Sequence, residues 1–419
     1  MIPLRLISPV LLSCVVLCMQ GGTAAWADEP RSAPYSLSEI LALALERSPT
    51  LASATGVVKH SQGQQIAAGA YPNPSISVDA GWGAIRDPST GVSIVERTVA
   101  VAQPLEWSGK REARQEAAAA GVAGANAGLD EAKLNLQTDV KVAFYQLLFS
   151  QRDVELAGQN LNMVEEVLRT VKLRVAAGEA TSFDTMKASV ELQKAQKEVA
   201  RARNALVVAK SRLNTLTAGA LGKQFSVEGD FHSAKVAFDE DRMVTNAFAQ
   251  HPAIRRLTKI AEQAEHTIRL ERESRVPNIS VRGDYHREAG NESITAGLTV
   301  PLPLWYRQQG EIEMALGTKH RAEGERLRAR NELEQAITQY TQEVRTAQDQ
   351  LQVFETGLLK QAEQTLTVAR TSFRQGAASL LDVLDAQRVY RQTLLEYAQV
   401  RADLSIALVR LERAVGAPI

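Results

Sequence analysis

Three carboxylates stand where the chain is built to reverse direction. Gly178-Glu179-Ala180-Thr181-Ser182-Phe183-Asp184 and Gly376-Ala377-Ala378-Ser379-Leu380-Leu381-Asp382 are near copies of one another, and Asp385 follows one helical turn later. A carboxylate three residues after Ser or Thr can accept from the backbone N–H of that residue, which makes a capping box and starts a helix. The glycine just before it suits the left-handed residue that ends a preceding helix. From residue types alone, capping outweighs any other role for Asp184 and Asp382.

Other reactive patterns are missing from the sequence. It has no nucleophile elbow, phosphate-binding loop, dinucleotide fingerprint or HExxH pair. The six histidines (60, 232, 251, 266, 286 and 320) are dispersed. Glu262 and His266 share a helical face, a spacing that belongs more often to a surface contact than to a metal site. Cysteine is limited to Cys14 and Cys18. The expectation is therefore no enzyme, no catalytic residue, no cofactor and no metal-ligating set.

The 48 basic and 48 acidic residues balance, which leaves no electrostatic pull toward nucleic acid. Arg5, the apolar stretch Leu6–Met19 and Ala25-Trp26-Ala27 predict a signal peptide over 1–27 that carries both cysteines away. Cleavage before Cys14, giving a lipidated N-terminus, is the weaker alternative. Beyond residue 27 no apolar run reaches the length of a membrane helix. An exported chain of this kind is either soluble or enters an outer membrane as a β-barrel.

Two spans, 105–251 and 304–417, contain no proline and can hold very long helices. Taken as one helix, 107–177 would reach about 106 Å. Coiled-coil seams run through Val140, Ala143, Leu147 and on to Val175, through Leu333, Ile337, Tyr340 and on to Leu358, and through Ala195, Val199, Ala202 and on to Leu216. Only 5% of residues are aromatic, which suits narrow seams better than a thick core.

The chain also repeats itself at an offset of about 200 residues. Ser48-Pro49 matches His251-Pro252, Pro74-Ser75-Ile76-Ser77-Val78 matches Pro277-Asn278-Ile279-Ser280-Val281, and Pro104-Leu105-Glu106-Trp107 matches Pro303-Leu304-Trp305-Tyr306. The expected plan is a first repeat over 28–218, a linker over 219–250 and a second repeat over 251–419. Each repeat has an opening helix, two strands and a long helical hairpin. The strands are expected near 75–83 and 93–104, then 278–287 and 293–302. The hairpin tips are expected near 178–182 and 376–380. Trp107 and Trp305, where strand gives way to helix, fit either an interfacial aromatic girdle or packing between helix tops and sheet.

Four alternating strands cannot close a membrane barrel, and open edges are not tolerated in lipid. Copies must therefore share one barrel: two would give eight strands and a filled interior, three would give twelve and a lumen.

The duplicated plan, the strand pairs and the motifs Gly178…Asp184 and Gly376-x-x-Ser379-Leu380-Leu381-Asp382-Val383-Leu384-Asp385-Ala386-Gln387 resemble the TolC-like outer-membrane efflux family over 36–416. Trp107-Ser108-Gly109-Lys110-Arg111 and Pro301-Leu302-Pro303-Leu304-Trp305-Tyr306-Arg307-Gln308-Gln309-Gly310-Glu311 are most similar to its cobalt–zinc–cadmium (CzcC-like) heavy-metal subgroup. The fold this implies is mainly α with a small β part: a homotrimeric α-barrel tunnel beneath a shared twelve-stranded β-barrel in outer-membrane lipid. Implied partners are a periplasmic adaptor docking at tips around Gly178 and Gly376, and an inner-membrane resistance-nodulation-division pump. The implied function is a passive exit duct for divalent heavy-metal cations. Asp382, Asp385 and Asp184 would line the periplasmic entrance as its gate. Residues that latch the gate elsewhere in the family are matched here by Phe373 and Ala378, so this chain must hold its closed state differently, by hydrophobic packing or by Arg374. Segment 219–250 would join the C-terminal residues in a belt around the tunnel. Drug efflux or type I protein secretion is the alternative cargo class, and a periplasmic coiled-coil adaptor or structural protein is the alternative of another kind.

Overall fold

The structure is a computed structural model that describes residues 34–86, 93–232, 238–288 and 291–418. The leader expected over 1–27, with both cysteines, lies outside the described residues. So do residues 87–91 and 289–290 of the two expected strand-to-strand turns.

The first repeat comprises α1 (Leu37–Arg47), α2 (Pro49–Gly69), β1 (Ser75–Arg86), β2 (Ser93–Leu105), α3 (Ser108–Ala176) and α4 (Ser182–Leu216). The second comprises α5 (Glu240–Gln250), α6 (Pro252–Glu273), β3 (Ile279–Glu288), β4 (Asn291–Thr299), α7 (Gln309–Val353), a π turn (Phe354–Leu358), α8 (Leu359–Arg374) and α9 (Leu380–Val415). The duplication is visible in local chemistry. Pro49 and Pro252 each occupy the first turn of a helix, where a missing N–H costs nothing. Ser36 caps α1 with Glu39 in a capping box, and Asp239 caps α5 by accepting from the Arg242 N–H at 3.1 Å. Helix α5 thus occupies the end of the segment expected as linker. It is short, and its apolar side rests on Met243 and Ala247, too few residues to read as a seam.

Helix α3 runs unbroken for 69 residues, as its lack of proline predicts. Its two halves pack differently. The first half lays a stripe of Ala113, Ala117, Ala120, Gly124 and Ala127 toward α6, and a Cβ added at Gly124 would lie 3.5 Å from the Lys259 Cβ. Small side chains let the two helix backbones approach closely. The second half buries Val140, Ala143, Leu147, Val164, Leu168 and Val171 of the expected seam. Near the strands the helices lie in the order α2, α3, α6, α7; near the tips the order is α4, α3, α9, α8. Each level is one layer of helices with α3 shared by both.

The seam from Leu333 stays buried only as far as Phe354, and Leu358 is exposed. The π turn at 354–358 inserts an extra residue into the helical repeat. After it, Ala362, Leu366 and Phe373 return to the buried side. Phe354 itself meets the Tyr397 ring at 5.9 Å between centroids.

All four strands form one antiparallel sheet in the order β1-β2-β3-β4. The pairing of β2 with β3, from Arg97 opposite Arg287 to Leu105 opposite Ile279, joins the two repeats. β4 ends at Thr299, earlier than expected, because Pro301 and Pro303 cannot extend a ladder. The register places Ile76, Val101, Gly283 and Ala296 in one row and Val78, Val99, Tyr285 and Ile294 in another on the same face. The opposite face carries the rows Ser77, Ala100, Asp284, Thr295 and Asp79, Thr98, His286, Ser293. Among the described residues, β1 and β4 have no outer neighbour.

The C-terminus is tied to the start of the second repeat by His251. Its Nδ1 accepts from the Ala253 N–H at 3.2 Å, so Nε2 carries the hydrogen and donates to the Arg413 carbonyl at 3.1 Å. Burial pushes this imidazole below its ordinary pKa, which keeps it neutral.

Candidate functional site

The two hairpin tips come together at one end of the molecule. α3 is followed by Gly178, with φ +78°, and α8 by Gly376, with φ +75°. In both, the next amide reaches back five residues: Glu179 N–H to the Arg174 carbonyl and Ala377 N–H to the Ser372 carbonyl, each at 2.8 Å. Gly178 and Gly376 therefore sit at the left-handed position that ends a helix and lets the chain turn.

Asp184 and Asp382 make the capping boxes that the sequence predicts. The Asp184 carboxylate accepts from the Thr181 hydroxyl at 2.8 Å and the Thr181 N–H at 3.1 Å. The Asp382 carboxylate accepts from the Ser379 hydroxyl at 2.7 Å and the Ser379 N–H at 2.8 Å. Those donors, the hydroxyl first, hold both carboxyls below the usual aspartate range. Asp382 and Asp385 lie one turn apart on the same exposed side of α9. Asp385 pairs with Arg388 at 3.3 Å, and Arg388 also reaches toward Glu191 of α4 at 3.9 Å.

Beneath these groups an apolar cluster joins the two hairpins: Val167, Leu168 and Val171 of α3, Ala188 of α4, Phe373 of α8, and Leu380, Val383 and Leu384 of α9. Around it run polar ties that the sequence reading did not foresee. Arg174 donates to the Phe373 carbonyl at 3.2 Å, lies 5.0 Å from the centre of the Phe373 ring and approaches Glu179 at 3.6 Å. Glu166 of α3 accepts from both Arg370 at 2.6 Å and Arg374 at 3.2 Å. The four-residue spacing of Arg370 and Arg374 was the available signal, since it puts both on one face of α8. Its partner lies about 200 residues away and could not be read locally.

At the other end, the sheet exposes its apolar face. Val78 is 72% exposed and Ile294 85%. An uncovered face of this extent is stable only in lipid or against another surface. Where strands meet helices, Tyr71, Trp107, Trp305 and Tyr306 are all exposed, with Trp305 at 91%. Within the chain Trp305 does not pack against the helix tops, which fits an aromatic girdle. The basic motif residues hold this junction together. Arg111 donates to the Gly69 carbonyl at 2.8 and 3.1 Å and lies over the Tyr71 ring, and Lys110 donates to Asn278 across the repeats at 3.3 Å. In the second motif the Tyr306 hydroxyl donates to Glu311 at 2.6 Å and accepts from the Gly310 N–H at 2.9 Å.

Exposed apolar side chains also mark the rods, among them Leu173, Phe183, Met186, Val190, Leu381 and Val389 near the tips. Among the described residues, no group of three or more His, Cys, Asp or Glu is arranged to hold a metal ion, and no helix is long and apolar enough to cross a membrane.

Comparison with known proteins agrees with this geometry. The sequence profile of the family described as "Outer membrane efflux protein" matches residues 40–219 and 243–417. The cobalt-zinc-cadmium resistance protein CzcC of Cupriavidus metallidurans is 26% identical over 401 residues, covering 94% of each chain. The nickel-cobalt-cadmium resistance protein NccC of Alcaligenes xylosoxydans xylosoxydans is 26% identical over 317 residues, covering 75% of this chain and 70% of its own. Among solved structures, the Campylobacter jejuni CmeC outer membrane channel superposes with a TM-score of 0.78 at 16% identity, covering 94% of this chain and 90% of that one.

Proposed function

Because this chain belongs to the outer membrane efflux protein family, we propose that it is the exit duct of a tripartite efflux system whose cargo is divalent heavy-metal cations. The duct lies in the outer membrane of a Gram-negative cell and reaches into the periplasm. One observation carries the reading. Among the described residues, a four-stranded sheet with an uncovered apolar face and two free edges sits on rods about 100 Å long. Such a sheet satisfies its edges in lipid by pooling strands with sister copies. Three copies close a twelve-stranded barrel wide enough for a lumen, with the polar rows inward. The exposed apolar residues on the rods then pack between copies. Membership in an efflux family sets aside the periplasmic-adaptor alternative and points to a role without catalysis.

The two repeats, the second entered through α5, bring both hairpin tips to one end, which in this reading is the periplasmic mouth. Asp382 and Asp385, repeated around that mouth, form a ring of carboxylates that draws cations, and Asp184 stands on the adjacent hairpin. The grooves beside Gly178 and Gly376 receive the periplasmic adaptor, which links the duct to an inner-membrane resistance-nodulation-division pump. Likeness to CzcC over nearly the whole chain supports metal cations as cargo. Metal choice resides in the pump, and the duct holds no resident cofactor.

The deciding experiment compares a deletion strain with its parent for tolerance of zinc, cobalt, cadmium and nickel salts and of a panel of antibiotics. Selective loss of metal tolerance, restored by the gene in trans, is the expected result. Selective loss of drug tolerance would replace the cargo assignment, and recovery of the protein wholly in aqueous fractions would end the duct reading.

A further inference from the structure

The polar face of the sheet carries a charged cluster far from the tips. β1 begins close to the end of α2, and β2 ends close to the start of α3, so the hairpin ends of the strands point away from the helices. His286 lies toward that distal end, in the row Asp79, Thr98, His286, Ser293. Its Nδ1 is 2.9 Å from the Thr98 Oγ1 and 3.6 Å from the Glu96 Oε1; its Nε2 is 3.5 Å from the Glu288 Oε2. Glu96 and Glu288 each stand one position beyond the Arg97–Arg287 pair, and the imidazole is flanked by both. All three side chains are partly open to solvent.

Two carboxylates on neighbouring strands repel one another unless a cation lies between them. Two kinds of cation can take that place: a proton carried by His286, or an ion in passage. The other groups on this face strengthen the contrast. β1 adds Asp79; on β3, Asp284 is ion-paired with Arg282; β4 supplies Ser293 and Thr295. The basic residues Arg97 and Arg287 lie on the opposite face, where Arg287 pairs with Glu292 at 3.5 Å.

We infer that His286, with Glu96 and Glu288, is a proton-sensitive determinant of cation selectivity at the outer mouth of the duct. This rests on the duct reading, which turns the polar face inward. With the imidazole neutral, the carboxylates of each copy form a ring that favours cations over anions, as carboxylate rings do in cation channels. With it protonated, the positive charge sits between the carboxylates and the preference falls. Histidine is the side chain whose imidazole exchanges a proton most readily near neutrality. The ion is a passing one, since the carboxylates do not converge into a coordination cage.

The test uses the full-length protein reconstituted in planar bilayers. The permeability ratio of potassium over chloride is read from reversal potentials in a KCl gradient at pH 8 and pH 5.5. The wild-type ratio is expected to fall by about threefold on acidification. His286→Asn keeps at pH 5.5 the ratio it shows at pH 8, and His286→Gln repeats this should the first variant insert poorly. Glu96→Gln combined with Glu288→Gln lowers the ratio at pH 8 to that of the acidified wild type. A wild-type ratio that ignores pH, or an acid response that survives in both His286 variants, overturns the inference and leaves the duct reading intact. Folded wild-type protein that carries no current overturns the duct reading and this inference together.

Discussion

The guanidinium of Arg174, in the last turn of α3, lies 5.0 Å from the centre of the Phe373 ring in α8 and donates to the Phe373 carbonyl at 3.2 Å. One side chain thereby ties the first hairpin to the second close to both turns. The family resemblance puts Phe373 and Ala378, which lack a hydroxyl and a charge, at its latch positions and leaves hydrophobic packing or Arg374 to hold the closed state. Phe373 and Arg374 both meet α3 at the tips, Phe373 through Arg174 and Arg374 through Glu166. Arg174→Ala is expected to weaken the tie by about 1–2 kcal/mol. Hydrogen exchange across 369–384 should speed up by several-fold while exchange in the α3–α6 contact is unchanged. Equal protection in the variant would show that the apolar cluster alone sets the tip.

Removing a cap hydroxyl tests the turn. Thr181→Ala should cost about 1 kcal/mol of local stability, with Ser379→Ala acting in the same direction. Acid should imitate both. The Asp184 and Asp382 carboxyls sit below their unfolded pKa, so the stability they add is fully present above the ordinary aspartate value and is lost as pH falls through their depressed values. The protection factors of amides at the starts of α4 and α9, taken against the unstructured-peptide exchange rate at each pH, should fall from pH 6 to pH 3 in the wild type and change less in the Ala variants.

Between α3 and α9 the Gln387 amide donates to the buried Asn160 at 3.1 Å. Gln387→Leu alone leaves Asn160 without this partner and should destabilise by about 1–3 kcal/mol. Asn160→Leu combined with Gln387→Leu should recover most of that loss. A double-mutant cycle from chemical denaturation gives the coupling energy, and a value near zero would count against the pair as a specifying contact.

Neighbouring residues of β1 should respond in opposite ways to the same charge. Val78 is on the exposed apolar face and Ser77 on the polar face. Val78→Arg should cost about 2–4 kcal/mol if the position lies near mid-bilayer, whereas Ser77→Arg should be tolerated. The yield of folded oligomer in the outer-membrane fraction separates the two. Equal yields would mean that this face does not meet lipid.

Asp382→Asn combined with Asp385→Asn is expected to change single-channel conductance and to weaken block by divalent cations applied from the tip side. Unchanged currents would leave Asp382 with capping and Asp385 with the Arg388 pair as their whole roles. That outcome is what the residue types favour before the family is considered.

Much of the architecture was legible because its signals are local. Proline-free spans announced α3 and the α7–α9 arm, glycine followed by a capping box announced both tips, and alternation announced the strands. The misjudged edges also have local causes: α5 is too short to show a seam, and the prolines at 301 and 303 cut β4 short. The Glu166–Arg370–Arg374 tie, the Asn160–Gln387 bond and the setting of His286 were not legible, because each joins residues from different repeats or different strands.

The sequence by itself determined that the chain is a doubled unit of rods, caps and alternating strands, since periodicity and capping act over a handful of neighbouring residues. Tertiary structure alone decided that β2 pairs with β3 and that α3 exchanges its neighbours from α2 and α6 to α4 and α9 along its length. It also decided that a histidine of the second repeat stands beside a carboxylate of the first. Those choices come from burying matched surfaces across long stretches of chain, and the energy that selects them exists only once the surfaces meet.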